Sequence, residues 1–457
     1  MNPSEATWIM SAYSLTFAAF LLISGKISDV YSPKYAFITG VACLGLVCLC
    51  AGFCTTKIPV IVLRALSGIA GAMTIPSALS LIVTIFPSHL EQSRAFGAFG
   101  GCGAIGNVSG YVIGGVFVEF ASWHWIFWLV TIVALPIAAM SLFLIPTQSR
   151  REIDDLPQMV RFRRLDVIAA LILFIFAVIS GSTDGWATAI VLAPLFISVA
   201  MLVGFFVYET RIPVECAAVP PHTWFYPNFS VVFCASLLPF LWWATIGLLF
   251  ISLWQEVYHQ SAISSAIHLI PISVGAFLTS FTGPLSRKLS PKWIIMFGQA
   301  LVMVANILLN FADGFDKYWS RDFPAFVLGT AGAQIMYTHT NVAIFRTTPP
   351  SVAGTVGAIY NGALQLGSAV GLAAVTSIQN SVDERHGGVN SSYAGRRAAY
   401  WFVFATACVE MAAMAWFYDV SAEKEGGIEQ LEEDEKRCGD SKEGMQGAGA
   451  LEMGTKE

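Results

Sequence analysis

The sequence predicts an all-α, polytopic membrane protein. Of its 457 residues, 56% are hydrophobic and only 12% are charged, whereas soluble domains carry about 25% charged residues. So few charges cannot cover a water-exposed surface, so lipid must face much of the outside. The apolar residues also fall into about 13 stretches of roughly 20 residues, the length that spans a bilayer.

Each predicted span is an apolar run bounded by polar or proline-containing loops. In chain order they are residues 8–24, 36–56, 58–85, 96–118, 125–146, 165–182, 187–208, 229–253, 266–284, 293–311, 323–345, 352–378 and 398–418. The tail that follows, 421–457, is charged and almost free of large apolar groups, so it cannot bury a core and is predicted to be disordered.

The basic residues of the loops set the orientation. If the N-terminus lies outside, the cytoplasmic loops carry about twice as many Lys and Arg residues as the outer loops, as the positive-inside rule requires. Asn390 then begins a glycosylation sequon in an outer loop. We expect a cytoplasmic C-terminus and a plasma-membrane rather than a vacuolar location.

Several functional classes are excluded by composition and motif. The net charge is −5 and no basic block occurs, so nucleic acid is not expected as a partner. No catalytic constellation, phosphate-binding loop or Cys/His cluster with metal spacing is present, so we expect neither an enzyme nor a cofactor or metal site. Without an ATP-binding loop, an ion gradient is the expected source of energy.

One glycine-rich stretch, GGCGAIGNVSGYVIGG (100–115), contains the spacing of a dinucleotide-binding loop. That loop needs a strand before it, whereas this stretch lies inside an apolar helix. At about 100° per residue, Gly106, Gly110 and Gly114 share one face. The pattern therefore predicts a smooth surface for close helix packing and for sliding between conformations.

An internal repeat connects the two halves of the chain. The segment GKISDVYSPK (25–34) and the segment GPLSRKLSPK (283–292) share Gly, Ser and the final Ser-Pro-Lys at equal spacing. Each follows a span that runs from outside to inside. Such a match at equivalent places indicates an internally duplicated transporter.

Four segments together resemble the major facilitator superfamily. GKISDVYSPK resembles its cytoplasmic loop motif, with Gly25, Asp29 and Lys34 at the key positions. VLRALSGIAGA (62–72) resembles the arginine motif, GNVSGYVIGG (106–115) the antiporter motif, and GTVGAIYNGALQLGSAVGLA (354–373) the penultimate helix of fungal fourteen-helix drug:proton antiporters. The loop motif departs at Val30, Ser32 and Pro33, and the antiporter motif has Tyr111 in place of proline.

The resemblance implies two helical bundles and a linking helix pair. The N-terminal bundle is then 1–146 with five spans, the cytoplasmic loop and linking pair are 147–208, and the six-helix C-terminal bundle is 209–420, followed by the tail. The spans fit family helices two to fourteen, so the first family helix is expected to be missing.

The resemblance also implies roles for charged and glycine residues. Arg64 is expected in proton coupling, although a structural arginine bonded to carbonyls is the alternative. Gly25, Asp29 and Lys34 are expected to control the contact between the two halves, with Arg94 as a neighbour. The antiporter helix motif comprises Gly106, Gly110, Gly114 and Gly115.

Polar side chains inside the spans are candidates for a substrate cavity. They are Tyr13, Gln334, Asn341, Asn361, Gln365 and Glu410. Asn361 and Gln365 are spaced i, i+4 and share a face. The alternative for the amides is hydrogen bonding between helices, which is common in membranes.

The predicted function is proton-coupled export of small, partly apolar compounds by alternating access, such as drugs, toxins or fungal secondary metabolites. The expected partners are protons, a small-molecule substrate and the lipid bilayer, and the expected state is a monomer. A permease of the ammonium or borate type is an alternative. A truncated, transport-dead or sensor protein is another.

Overall fold

A computed structural model describes residues 3–30, 32–86, 88–146, 188–211, 221–346, 348, 352–386 and 393–421. Within these ranges the regular structure is helical throughout, as the sequence predicts. The predicted span 165–182, the glycosylation site at Asn390 and the tail beyond 421 lie outside the described residues.

Six helices make up the described N-terminal part. They are α1 (Pro3–Val30), α2 (Pro33–Gly52), α3 (Lys57–Ile85), α4 (His89–Phe120), α5 (His124–Leu144) and α6 (Ala189–Glu209). Local sequence explains two of the starts. Pro33 occupies the first turn of α2, where its missing N–H costs nothing. Ser88 caps α4 by accepting a hydrogen bond from the Glu91 N–H at 3.3 Å.

Eight helices make up the described C-terminal part. They are α7 (Phe229–Ala235), α8 (Leu237–Ser252), α9 (Ala262–His268), α10 (Ile270–Ser280), α11 (Pro291–Asn310), α12 (Phe323–Arg346), α13 (Ala353–Arg385) and α14 (Ala394–Phe417). The predicted spans 229–253 and 266–284 are each divided into two helices, with breaks at Ser236 and Leu269. The other predicted spans within the described ranges are single helices.

Eight helical segments of the described chain are long and apolar enough by themselves to cross a membrane. The helix α12 falls outside this set because its sequence is rich in Gly, Thr, Asn and Gln. Almost every residue from Ala325 to Phe345 is nevertheless buried against protein. It is therefore shielded from lipid by its neighbours, and its polar groups mark the interior of the molecule.

The described helices pack as two bundles. In the first, α3 packs on α1 and α2, and α2 packs on α5; in the second, α11 packs on α12 and α14, and α13 on α8 and α14. Hydroxyl groups join α1 to α3: Thr16 Oγ1 donates to the Ala65 carbonyl at 2.7 Å, and Ser24 Oγ donates to the Ala72 carbonyl at 2.6 Å. The bundles meet where α1 lies on α13 and α4 lies on α10.

Candidate functional site

The two bundles make their tightest contacts at the end predicted to be cytoplasmic. A Cβ atom placed on Gly25 of α1 would lie 2.5 Å from the Gly354 carbonyl oxygen of α13. Cβ atoms on Gly97 and Gly283 would likewise collide with the carbonyl oxygens of Ser280 and Ser93. Because backbone meets backbone at all three places, only glycine fits while this end is closed.

The glycine face of α4 does not pack as the sequence predicts. Cβ atoms on Gly106, Gly110 and Gly114 would have no neighbour within 4 Å, and one on Gly115 would make only an ordinary 3.5 Å contact with Ile263. The expected close packing of the antiporter motif is therefore wrong for this conformation. The glycines of α4 that make close contacts lie nearer the start of the helix, where Gly97 reaches the backbone of α10.

Tyr111, which stands in place of the motif proline, bridges the bundles instead. Its hydroxyl would lie 3.2 Å from a Cβ atom on Gly247 of α8. The far half of α4 therefore meets the second bundle through side chains and leaves space beside its glycine face. The predicted substrate cavity would lie between α4, α8 and α12, and we call this region the central cavity.

The base of the central cavity lies where Gly100 of α4 meets α12. A Cβ atom on Gly100 would be 2.7 Å from both Gln334 Nε2 and Tyr337 Cε1. The Tyr337 ring is stacked on Phe240 with 6.2 Å between centroids, and it lies 6.3 Å from Trp243 and 6.1 Å from Tyr360. We call these four rings the aromatic floor.

Hydrogen bonds fix the aromatic floor in place. Tyr360 Oη donates to the Tyr337 carbonyl at 2.9 Å and lies 3.0 Å from Thr340 Oγ1. The sequence does not mark Phe240 as part of the aromatic floor, because one phenylalanine among 33 carries no distinguishing signal.

The buried amides bond within their own helices. Asn341 Nδ2 donates to the Tyr337 carbonyl at 3.2 Å, and Asn361 Nδ2 donates to the Gly357 carbonyl at 3.0 Å. Gln334 Nε2 donates to Thr338 Oγ1 at 3.4 Å. None of these bonds crosses between helices, so they do not support the alternative of interhelical glue. Gln365 is only half-buried.

Arg64 and Tyr13 lie together in the first bundle. The guanidinium carbon of Arg64 is 4.9 Å from the centre of the Tyr13 ring, which is cation–π geometry. Tyr13 also stacks on Phe17 at 5.7 Å. The thiol of Cys48 on α2 also acts on Arg64 electrostatically. The arginine predicted for proton coupling is thus held by an aromatic ring of the neighbouring helix.

The lysines of the repeated loop motif are anchored near helix ends. Lys292 Nζ donates to the carbonyls of Ala415 at 2.9 Å and Tyr418 at 3.0 Å, at the C-terminus of α14. A cation there is favoured by the helix dipole. Lys34, its counterpart, is buried at the start of α2. The Asp29 side chain lies outside the described residues, and Arg94 is exposed near the start of α4.

The structure changes the interpretation of two ionisable residues, Glu410 and His339. Glu410, predicted as a cavity residue, is buried on α14 beside Cys234 of α7 instead of joining the aromatic floor. His339 of α12 was missed, although it is fully buried, with the Thr282 backbone beside its ring. The sequence carries a signal for His339, because an ionisable residue inside a membrane span is a candidate functional residue by default.

Comparisons with known proteins agree with this architecture. Residues 1–372 match the family model described as Major Facilitator Superfamily. The multidrug transporter mfsC of Aspergillus fumigatus is 25% identical over 414 residues, which is 87% of this chain and 77% of that protein. The low affinity ammonium transporter of Saccharomyces cerevisiae is 25% identical over 395 residues, which is 84% of this chain and 75% of that protein.

A solved structure shares the fold. The human organic anion transporter MFSD10 (TETRAN) superposes with a TM-score of 0.62 at 12% sequence identity, covering 89% of this chain and 83% of that one.

Proposed function

The chain belongs to the Major Facilitator Superfamily, and we propose that it exports small, partly apolar compounds in exchange for protons. The observation that carries the proposal is the arrangement of the two bundles. Glycines join them backbone to backbone at the predicted cytoplasmic end, while the aromatic floor lies beyond that contact. Opening this end and closing the other would give alternating access.

The aromatic floor supports a partly apolar substrate. Phe240 and Trp243 are half-buried and offer stacking surfaces, with the buried rings of Tyr337 and Tyr360 behind them. The nearby amides of Gln334 and Asn341 have oxygens without a partner among the described residues. Such a site combines apolar contact with a few hydrogen-bond acceptors. The names of relatives such as the multidrug transporter mfsC agree with this substrate class.

Arg64 supports ion coupling. A fixed charge within a span costs about 2.5–3.5 kcal/mol on insertion scales and persists where it has a function. We propose that protonation elsewhere in the cavity changes the strength of the Arg64–Tyr13 contact and so shifts the balance between the two states. We further propose a monomer in the plasma membrane with its C-terminus in the cytoplasm.

A second candidate is a permease for ammonium or a similarly small solute. It is favoured by the similarity to the yeast ammonium transporter. An ammonium ion would be too small to cover the exposed faces of both Phe240 and Trp243, so the size of the aromatic floor favours the larger substrate.

Transport by the full chain in proteoliposomes separates these candidates. With an imposed pH gradient, the proposal predicts accumulation of a fluorescent, partly apolar aromatic cation such as ethidium, and loss of accumulation when the gradient is collapsed. Uptake of methylammonium without dye transport would favour the permease. Binding of dye without transport of either compound would favour a sensor.

A further inference from the structure

A stripe of buried amides follows one face of α11. Gln299, Asn306 and Asn310 fall within about 40° of each other on a helix that turns 100° per residue, and all three are almost fully buried. The Oδ1 atoms of both asparagines and both amide atoms of Gln299 have no hydrogen-bond partner among the described residues. Buried polar atoms of this kind usually bind ordered water.

The amide stripe runs along the seam between α11 and α14. At one end of the seam, Lys292 Nζ bonds the Ala415 carbonyl; at the other, Arg397 Nε donates to the Asn310 carbonyl at 3.1 Å. The two contacts are separated by the same number of residues on α11 (292 to 310) and on α14 (415 to 397). The antiparallel helices therefore keep one register along the seam. Gln299 is therefore level with the turn of α14 that leads to Glu410.

Glu410 lies on α14 within one helical turn of the level of Gln299. Its side chain is 8% exposed, and Oε2 has no partner among the described residues. The ionisable groups around it are few: the Cys234 thiol on α7 and, about one turn further towards the helix end, the Lys292 ammonium. The helix α8 has no ionisable side chain, and α13 has none before Asp383 except Tyr360.

The other end of the seam reaches a polar cluster at the predicted outer end. Asp322, just before α12, and Arg396, at the start of α14, are both nearly fully buried. Both act electrostatically on the rings of Tyr258, Tyr393 and Tyr400, and the Tyr393 and Tyr400 rings lie 6.5 Å apart. Burial raises the pKa of the Asp322 carboxyl to about 7. This carboxyl can therefore gain and lose a proton near neutral pH.

We propose that Glu410 is a proton-binding carboxyl of the second bundle, and that protons reach it from the outer end along the amide stripe of α11. The relay starts at Asp322, passes the tyrosine hydroxyls and water held by Asn310, Asn306 and Gln299, and ends at the Glu410 carboxylate. In each transport cycle, a neighbouring water passes one proton to Glu410 and is reprotonated from Asp322 along the path, and Glu410 then releases one proton to the cytoplasmic side. This inference rests on the proposed proton coupling.

Infrared spectroscopy of the reconstituted full chain tests the path directly. A protonated Glu410 gives a carboxyl C=O band that Glu410→Gln removes and that shifts when the proton is exchanged for deuterium. The double variant Gln299→Leu, Asn306→Leu is expected to slow this exchange by about tenfold or more, because its apolar side chains hold no water. The control is Val304→Leu, a change at an exposed, lipid-facing position of the same helix, which is expected to leave the rate unchanged.

Two outcomes overturn the inference without touching the proposed function. One is an unchanged exchange rate in the double variant, with the Val304→Leu control as expected and the fold intact by circular dichroism. The other is unaltered proton-to-substrate stoichiometry in Glu410→Gln. Substrate transport by the unmodified chain with no proton movement at all would instead overturn the proposed function, whereas the infrared result would still report on the path.

Discussion

Replacing Gly97 by alanine tests whether the tight contact between α4 and α10 defines the closed cytoplasmic end. The added methyl group would collide with the Ser280 carbonyl oxygen, which is backbone and cannot swing aside. Overpacking of this kind costs about 1–3 kcal/mol. An energy of that size, applied to one of two states, changes their ratio about 5- to 150-fold. We therefore expect Gly97→Ala to deplete the state closed at this end.

Spin labels can measure that shift. Arg94 and Lys288 are exposed on opposite bundles at the predicted cytoplasmic end, so labels attached there, in a background without the nine native cysteines, report its opening. The expected result is a distance distribution moved to longer values in Gly97→Ala. Gly204→Ala is the matched control, since a Cβ atom there has open space on α6 and gains the same helix propensity of about 1 kcal/mol.

The reasoning fails if both alanine variants give the distribution of the parent protein. It also fails if Gly204→Ala moves the distribution as far as Gly97→Ala, because the effect would then come from helix propensity instead of from the contact.

Three further predictions concern other parts of the molecule. Lys292→Met should lower the free energy of unfolding, measured in detergent melts, by about 1–2 kcal/mol, because the two carbonyl contacts at the end of α14 are lost. Lys292→Arg should keep most of that stability. Asp322 binds its proton more tightly in the folded chain, with its pKa raised from 3.8 to about 7. The melting temperature of the parent should therefore fall, relative to Asp322→Asn, as pH rises through that window, and parallel curves would contradict this. Trp243→Ala should raise KM for aromatic dyes about tenfold, whereas Trp319→Ala, at a surface position, should leave KM unchanged.

The helices were predictable because their signal is long and local. A run of about 20 apolar residues requires no knowledge of its neighbours, and the spans within the described ranges were found this way. The breaks at Ser236 and Leu269 were not predicted, because the apolar run continues through them. Length and hydropathy do not report a local break in the helical hydrogen-bond pattern.

The site was harder to predict because its members depend on helix rotation and on the conformation captured. Sequence placed Gly106, Gly110 and Gly114 on one face, but it could not tell that Gly97 and Gly100 make the closest approaches. It flagged Glu410 as a costly charge but assigned it to the cavity, since the seam between α11 and α14 appears only once the helices are packed. For Arg64, the sequence signal and the observed contact with Tyr13 agree on the residue, while its role stays a proposal.

Proton movement driven by substrate is the most direct measurement of the central claim. Purified protein would be sealed in liposomes with the pH-sensitive dye pyranine inside, and a substrate gradient would be imposed without a pH gradient. We expect a change of internal pH that depends on substrate and is lost in Arg64→Gln, while that variant still binds substrate. Substrate flux through the unmodified protein with no change of internal pH would contradict it.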